Sequence, residues 1–340
     1  VQYELRTQVI EPLRATFDSL VERYGGRPAS RYEEATIDVQ PRENFHYRPL
    51  WDPAHELYDE DFSALKLADP YSFTDPRQFY YAPYVTARAQ MFDAFGRTLD
   101  YIEERGLFER MPAAWRTLTA AVVLPMRHYE GGAQLVSVAG ARFAYGATIE
   151  QCLSLAAFDR IGNAQLLSRV GLALGGSESL GEAKRAWLEA EDLQPLRRYA
   201  EELLVEQDWA VAAFALDLAD RLIYPLLYRH LDEQALAGGA GAVSLVAQHL
   251  AGWFADQRRW VDALLAAWVA DPEHGEANAA VLSDAARTWL PRACDAVRGL
   301  GRAADAAVDT GAERAVDEFA ARLREQLAAA GIRTTEEESA

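Results

Sequence analysis

Apolar residues recur at three- and four-residue intervals along most of this chain, the period of an amphipathic helix. Tyr84, Ala87, Met91, Phe95, Leu99 and Ile102 mark one face of a helix over 84–105, which Gly106 closes. Pro112 opens a second, with Trp115, Leu118, Val122 and Met126 in register. The pattern resumes through Leu135, Ala139 and Phe143, so Pro125 is predicted to kink this helix rather than end it. A third helix covers 147–173 and stops at Gly175-Gly176; shorter pieces follow over 180–190 and 195–206. A long helix over 208–236 carries Pro225, and the glycine cluster at 238–242 leads into another that reaches 270. Segments 276–298 and 303–330 supply two more, and 9–24 gives a short helix at the other end. Alternation of period two never persists, so no strand is expected. Long helices that are apolar nearly all round belong in the middle of a bundle. The pairs 112–173 and 208–270 each carry a proline followed by Arg-His, at Arg127-His128 and Arg229-His230. That echo suits two related helical hairpins, and coincidence explains it equally well.

Residues 27–83 break the pattern. The stretch 44–85 holds 11 of the chain's 36 aromatics and five prolines, Pro49, Pro53, Pro70, Pro76 and Pro83. Prolines at that density remove amide donors and push the preceding residue out of the helical region, so no long helix fits. A disordered segment is poor in aromatics, and this one is rich in them. The expectation is an N-terminal helix and an ordered, extended arm over 1–83, a helical body over 84–332 and an acidic end over 333–340. The arm either docks on its own body or lies partly on another subunit. Phe45, His46, Tyr47, Arg48, Trp51, Phe79, Tyr80 and Tyr81 are the candidate partner-binding residues, because Trp, Tyr and Arg concentrate at interface centres.

Composition narrows the partners. The formal net charge is −18 over 340 residues. Nucleic acid and anionic lipid surfaces both need a basic patch, so neither is an expected partner. Cys152 and Cys294 lie far apart in apolar helical patterns, which suits buried thiols in a reducing cytoplasm and provides no disulfide framework. The first residues show no signal-peptide pattern, and no run of about 18 apolar residues predicts a membrane span.

A bundle of this size invites a di-iron carboxylate centre. That chemistry uses a Glu from each of two helices and a Glu-x-x-His pair from each of the other two. Among six histidines only His46 follows a glutamate, Glu43, by three residues. That pair sits between Pro41 and Pro49, where extended backbone turns the two side chains to opposite faces. Three residues beyond Asp159, Asp256 and Glu150 stand Gly162, Arg259 and Leu153, none of which completes a pair. Glu130 and Asp159 are candidates to face inward as satisfied polar groups, and His128, His230 and His249 read as hydrogen-bonded packing residues. No phosphate-binding loop or nucleophile elbow is present, and neither cysteine has a cationic activator nearby in sequence. The residues themselves predict no catalytic, cofactor-binding or metal-binding site.

The stretches 24-YGGRPASRYEEATIDVQ-40, 44-NFHYRPLWDPAHELYD-59 and 75-DPRQFYYAPYVTAR-88 resemble the β subunit of the hydroxylase in soluble bacterial multicomponent monooxygenases, the phenol hydroxylase branch above all. The resemblance implies a ferritin-like bundle that lacks the di-iron ligands, with an extended N-terminal arm. It implies a structural β subunit assembled with a catalytic α subunit, which holds the di-iron centre, and a small γ subunit as (αβγ)2. A reductase and a regulatory protein complete such a system, and an aromatic substrate binds in α. Two other readings differ in class: an independent catalytic ferritin-like enzyme, and a free-standing helical scaffold unrelated to oxygenases.

Overall fold

The computed structural model describes residues 16–40 and 53–335. Within them the protein is all-α, and no strand occurs among the described residues. The arm contains two short helices, α1 (Asp18–Tyr24) and α2 (Arg31–Thr36). The second is nucleated by a capping box, in which Ser30 accepts from the Glu33 amide and the Glu33 carboxylate accepts from the Ser30 amide. Proline density alone gave no sign of it.

The body starts at Tyr81, three residues earlier than the apolar period suggests, with α3 (Tyr81–Glu104). After α4 (Leu107–Arg110) come α5 (Ala113–Leu118), α6 (Met126–Phe143), α7 (Ala147–Glu189) and α8 (Gln194–Leu203). Then follow α9 (Trp209–Pro225), α10 (Leu231–Ala237), α11 (Gly241–Val269), α12 (Gly275–Ala307) and α13 (Ala312–Ala329). The stop expected at Gly175-Gly176 is a kink inside α7, where both glycines leave helical φ/ψ, the second with φ +70°, and the helix resumes to Glu189.

A wide turn borders each of Pro125 and Pro225. The Leu124 amide reaches back five residues to the Thr119 carbonyl at 2.9 Å, just before Pro125. The Leu231 amide reaches back five residues to Leu226, just after Pro225. The π turn ahead of Pro125 spreads the carbonyls that its ring would otherwise meet, whereas the one beside Pro225 follows the ring; both prolines keep right-handed helical φ/ψ, so each helix continues past its proline.

One expected boundary is wrong. Segments 276–298 and 303–330 are not separated at 299–302, because α12 runs unbroken to Ala307. Gly299 and Gly301 are points of close approach: a Cβ on the first would lie 2.2 Å from the Asp192 carbonyl oxygen, and on the second 2.8 Å from Glu313 Cα. The chain breaks instead at Val308–Gly311, where Gly311 takes φ +68°.

Helices α6, α7, α9 and α11 surround the core. Helix α3 lies on the groove between α7 and α11: Tyr84 bonds Asp159 of α7 at 2.8 Å, and Thr98 lies 2.9 Å from His249 of α11. The described part of the arm packs on this body, with Leu57, Leu65, Tyr71 and Phe73 buried. Extended backbone carries unpaired amides, and side chains at helix ends meet them. Asp208 accepts from the Ala64 amide at 2.7 Å, Asp271 from the Ala68 amide at 2.8 Å, and Asn278 exchanges two bonds with Lys66 at 3.0 and 2.7 Å.

Candidate functional site

Four helices meet around one guanidinium. Glu130 of α6, Arg160 and Asn163 of α7, Asp220 and Tyr224 of α9 and Trp253 of α11 all point into the bundle, each at most 3% exposed. Helical spacing puts them there: Arg160 and Asn163 are i and i+3, Asp220 and Tyr224 i and i+4, and each pair shares a face. Arg160 donates to both Asp220 oxygens, through Nη2 to Oδ2 and through Nη1 to Oδ1 at 3.2 Å. The same Nη1 donates to Glu130 Oε2 at 3.2 Å. Tyr129 donates to Asp220 at 2.7 Å and Tyr224 to Glu130 at 2.5 Å. The guanidinium lies 4.9 Å over the Trp253 ring.

Two carboxylates share this one cation. Burial works against the charge on Arg160, but Asp220 and Glu130 outweigh it and hold its pKa well above the ordinary value. Burial pushes the Glu130 carboxyl up even against the pull of Arg160. The two shifts point opposite ways for the Arg160–Glu130 contact, and geometry resolves them. Asp220 takes the two-pronged contact and is the counter-ion, which leaves Glu130 as the surplus acid.

The frame resembles that of a carboxylate metal centre, with acids on α6 and α9 and an i, i+3 pair on α7. The occupants do not fit one. Guanidinium has no lone pair to give a metal, and its charge sits between the two carboxylates. Buried polar atoms without a protein partner remain at Arg160 Nε, Trp253 Nε1 and Asn163 Oδ1, and the first two are donors that repel a cation. Among the described residues no group of three or more His, Cys, Asp and Glu is placed to hold a metal ion. The histidines of the body helices pack elsewhere: His249 and His230 are hydrogen-bonded to Thr98 and to the Thr310 carbonyl, both at 2.9 Å. His128 stacks on Trp187, and its Nε2 has no hydrogen-bond partner.

A second ion cluster fastens the arm. Asp159 is buried and satisfied, as expected, but its partners come from α3, where Arg88 binds it through two bonds of 2.7 Å. Arg88 also binds Asp256 of α11 at 2.7 Å. Beside it Asp75 and Arg77 pair at 3.0 Å with side chains only 1% exposed. The arm's Phe79 is half-buried between Arg77, Arg88 and Tyr84. Of the candidate partner-binding residues, Phe79 therefore packs on its own chain, Tyr80 is half-buried ahead of α3, and Tyr81 is 80% exposed. Phe45, His46, Tyr47, Arg48 and Trp51 lie outside the described residues. Sequence reasoning passed over both Arg160 and Arg88.

No described helix is long and apolar enough to cross a membrane. Residues 51–272 match the family model described as methane/phenol/alkene hydroxylase. The chain is 37% identical, over 98% of its own length and 99% of the relative's, to the phenol 2-monooxygenase oxygenase component DmpL of Pseudomonas sp. (strain CF600). It is 27% identical to the propane 2-monooxygenase hydroxylase component small subunit of Mycolicibacterium goodii, over 80% of this chain and 77% of that one. The crystal structure of xenon-pressurized phenol hydroxylase from Pseudomonas sp. OX1 superposes with a TM-score of 0.89 at 32% identity, covering 97% of this chain and 99% of that one. On fold, sequence and coverage alike, the chain belongs to the methane/phenol/alkene hydroxylase family, whose members work as components of multisubunit monooxygenases.

Proposed function

We propose that this chain is a non-catalytic β, or small, subunit of the hydroxylase of a multicomponent di-iron monooxygenase of the phenol hydroxylase kind. The observation that carries this reading is Arg160, a cation built into the bundle between the carboxylates Glu130 and Asp220. A subunit with such a centre leaves oxygen chemistry to another chain. That chain is a catalytic α subunit with the di-iron centre and the pocket for an aromatic substrate. A small γ subunit completes an (αβγ)2 hydroxylase, served in the cytoplasm by a reductase and a regulatory protein. One relative's name, hydroxylase component small subunit, itself presupposes a larger chain. A free-standing scaffold unrelated to oxygenases does not fit a chain 37% identical to an oxygenase component over nearly its whole length.

Iron analysis and turnover test the reading together. The isolated chain, reconstituted anaerobically with ferrous iron, is expected to bind no stoichiometric iron. The α subunit with reductase and regulatory protein is expected to lose most of its turnover when this chain is left out. About two irons per isolated chain with the spectrum of a coupled pair, or equal turnover without it, overturns the proposal.

A further inference from the structure

The chain carries 34 Lys and Arg against 52 Asp and Glu, yet a groove between α9, α11 and α13 reverses that balance. Two hollows make it up. The first, of about 510 Å³, is walled by Phe254 and Leu265 of α11, by Phe319, Leu323 and Leu327 of α13, and by Ile332. The second, of about 450 Å³, is ringed by Arg229, Arg314 and Arg322. Arg229, Phe319 and Arg322 line both, so the hollows share one wall. Helical spacing builds that wall, since Phe319 and Leu323 are i and i+4 and Arg322 lies between them on the same side of α13. Across both hollows Arg221, Arg229, Arg258, Arg314 and Arg322 stand against Asp262, Glu233 and Glu318.

The arginines fall into two groups. Arg221 bonds Asp217 at 2.9 Å and Asp262 at 2.7 Å, and Arg258 bonds the same two acids. Two cations sharing two acids are neutral together, and they close one flank of the first hollow. The outer three are held far less firmly. Arg229 stands 4.0 Å from Glu233 and Arg322 3.5 Å from Glu318, each pair four residues apart with side chains more than half exposed. Exposed pairs of this kind are worth little. Arg314 is exposed and makes no ion pair among the described residues. Three guanidiniums therefore face one hollow with two loosely held acids between them.

We infer that this groove is a binding site for an organic anion, a carboxylate carried on an alkyl chain. The head is held by Arg229, Arg314 and Arg322, and the chain lies over Phe254, Phe319 and Leu323. Small-molecule sites are commonly hollows of roughly 300–1,000 Å³ with apolar walls and a few placed polar groups, and the first hollow has that form. Guanidinium suits a carboxylate because its planar fork matches the two oxygens. An inorganic anion would leave the apolar wall unused, and an uncharged hydrocarbon would leave the guanidiniums unused. The site is built from this chain alone, so the inference goes beyond the small-subunit reading and does not depend on it.

Calorimetric titration of the full-length chain with decanoate tests the inference, with 1-decanol and inorganic phosphate as probes that each keep one half of the ligand. Decanoate is expected to bind one to one, at least ~10-fold more tightly than either half. Arg314→Glu and Arg322→Glu should each weaken it at least ~10-fold, and Phe319→Ala about 3- to 10-fold. Arg198→Glu makes the same change of charge on exposed α8, away from the groove, and should cost less than about 2-fold. Raising the salt concentration should weaken binding to the wild type. Thermal unfolding of each variant checks folding, and Arg314 and Arg322 are exposed positions whose replacement leaves the core intact. No binding of decanoate overturns the inference, as does decanol or phosphate binding as tightly. Equal losses in Arg198→Glu and Arg322→Glu would assign the effect to net charge and overturn it as well.

Discussion

Arg160 and Arg88 each bind two carboxylates and lie against aromatic rings, but the first does so between four helices and the second between an arm and the body. Around Arg160 every partner is at most 3% exposed. Around Arg88 the Asp256 side chain is 22% exposed, and Arg77 stands 3.7 Å from the same carboxylate. A buried ion pair returns little net stability, because desolvation offsets the attraction, yet losing one partner strands a charge. The inner cluster therefore penalises any packing that does not bring α6, α7 and α9 together at that level. The outer cluster ties α3 to α7 and α11, and the arm's Phe79 and Arg77 pack against it, Phe79 under the Arg88 guanidinium and Arg77 3.7 Å from Asp256. One arginine specifies the bundle, and the other specifies what lies on it.

The largest effect should come from Arg160→Met. It leaves Glu130 and Asp220 buried without a cation, and chemical denaturation should show a loss of about 3–5 kcal/mol. Adding Asp220→Asn should recover part of that loss, because neutralising the acid removes the stranded charge. If the second substitution deepens the loss instead, Asp220 matters for packing rather than as the counter-ion.

Arg88→Ala should cost less, about 2–3 kcal/mol, since Tyr84 still donates to Asp159 and Asp256 reaches water. Its distinguishing mark is local. Hydrogen exchange should accelerate in the arm residues 75–80 while α6, α7 and α9 stay protected. Equal loss of protection in arm and bundle would erase the distinction between the two clusters.

Much of the fold was legible because helical period and glycine punctuation are local signals. Gly106, Gly175-Gly176 and the 238–242 cluster end or bend helices where the sequence places them. Gly299 and Gly301 misled, because a glycine chosen for close packing looks in sequence like one chosen for a turn. Tyr81 to Pro83 were assigned to the arm, since prolines and aromatics hide the first turn of a helix. The site was harder to read. The Glu-x-x-His pattern falls only on Glu43 and His46 in the arm and points away from the bundle, although Arg160 stands on the apolar face beside Ala156, Asn163 and Leu167. A charge at a core position signals a partner across the bundle. The partner's identity, Asp220, depends on tertiary contacts that no local pattern contains. Asp159 and Arg160 are neighbours in sequence, yet they point to different clusters about 100° apart around the helix.

The smallest effect concerns Glu130, and it tests which acid is surplus. Burial raises its carboxyl pKa above the ordinary 4.5 in the folded protein. The folded state then holds this proton more tightly than the unfolded chain. That titration contributes stability fully present below the ordinary glutamate pKa and lost as pH rises through the folded value. Glutamine cannot titrate, and its side-chain oxygen still accepts from Tyr224. Glu130→Gln should therefore gain on the wild type as pH rises from about 4.5 toward neutrality. Urea unfolding of both proteins at mildly acidic and neutral pH measures the trend. If the wild type gains instead, Glu130 is held as a charged partner of Arg160. The inner cluster would then carry two ionised acids on one cation, as the outer one is drawn, and the contrast between them would rest on burial alone.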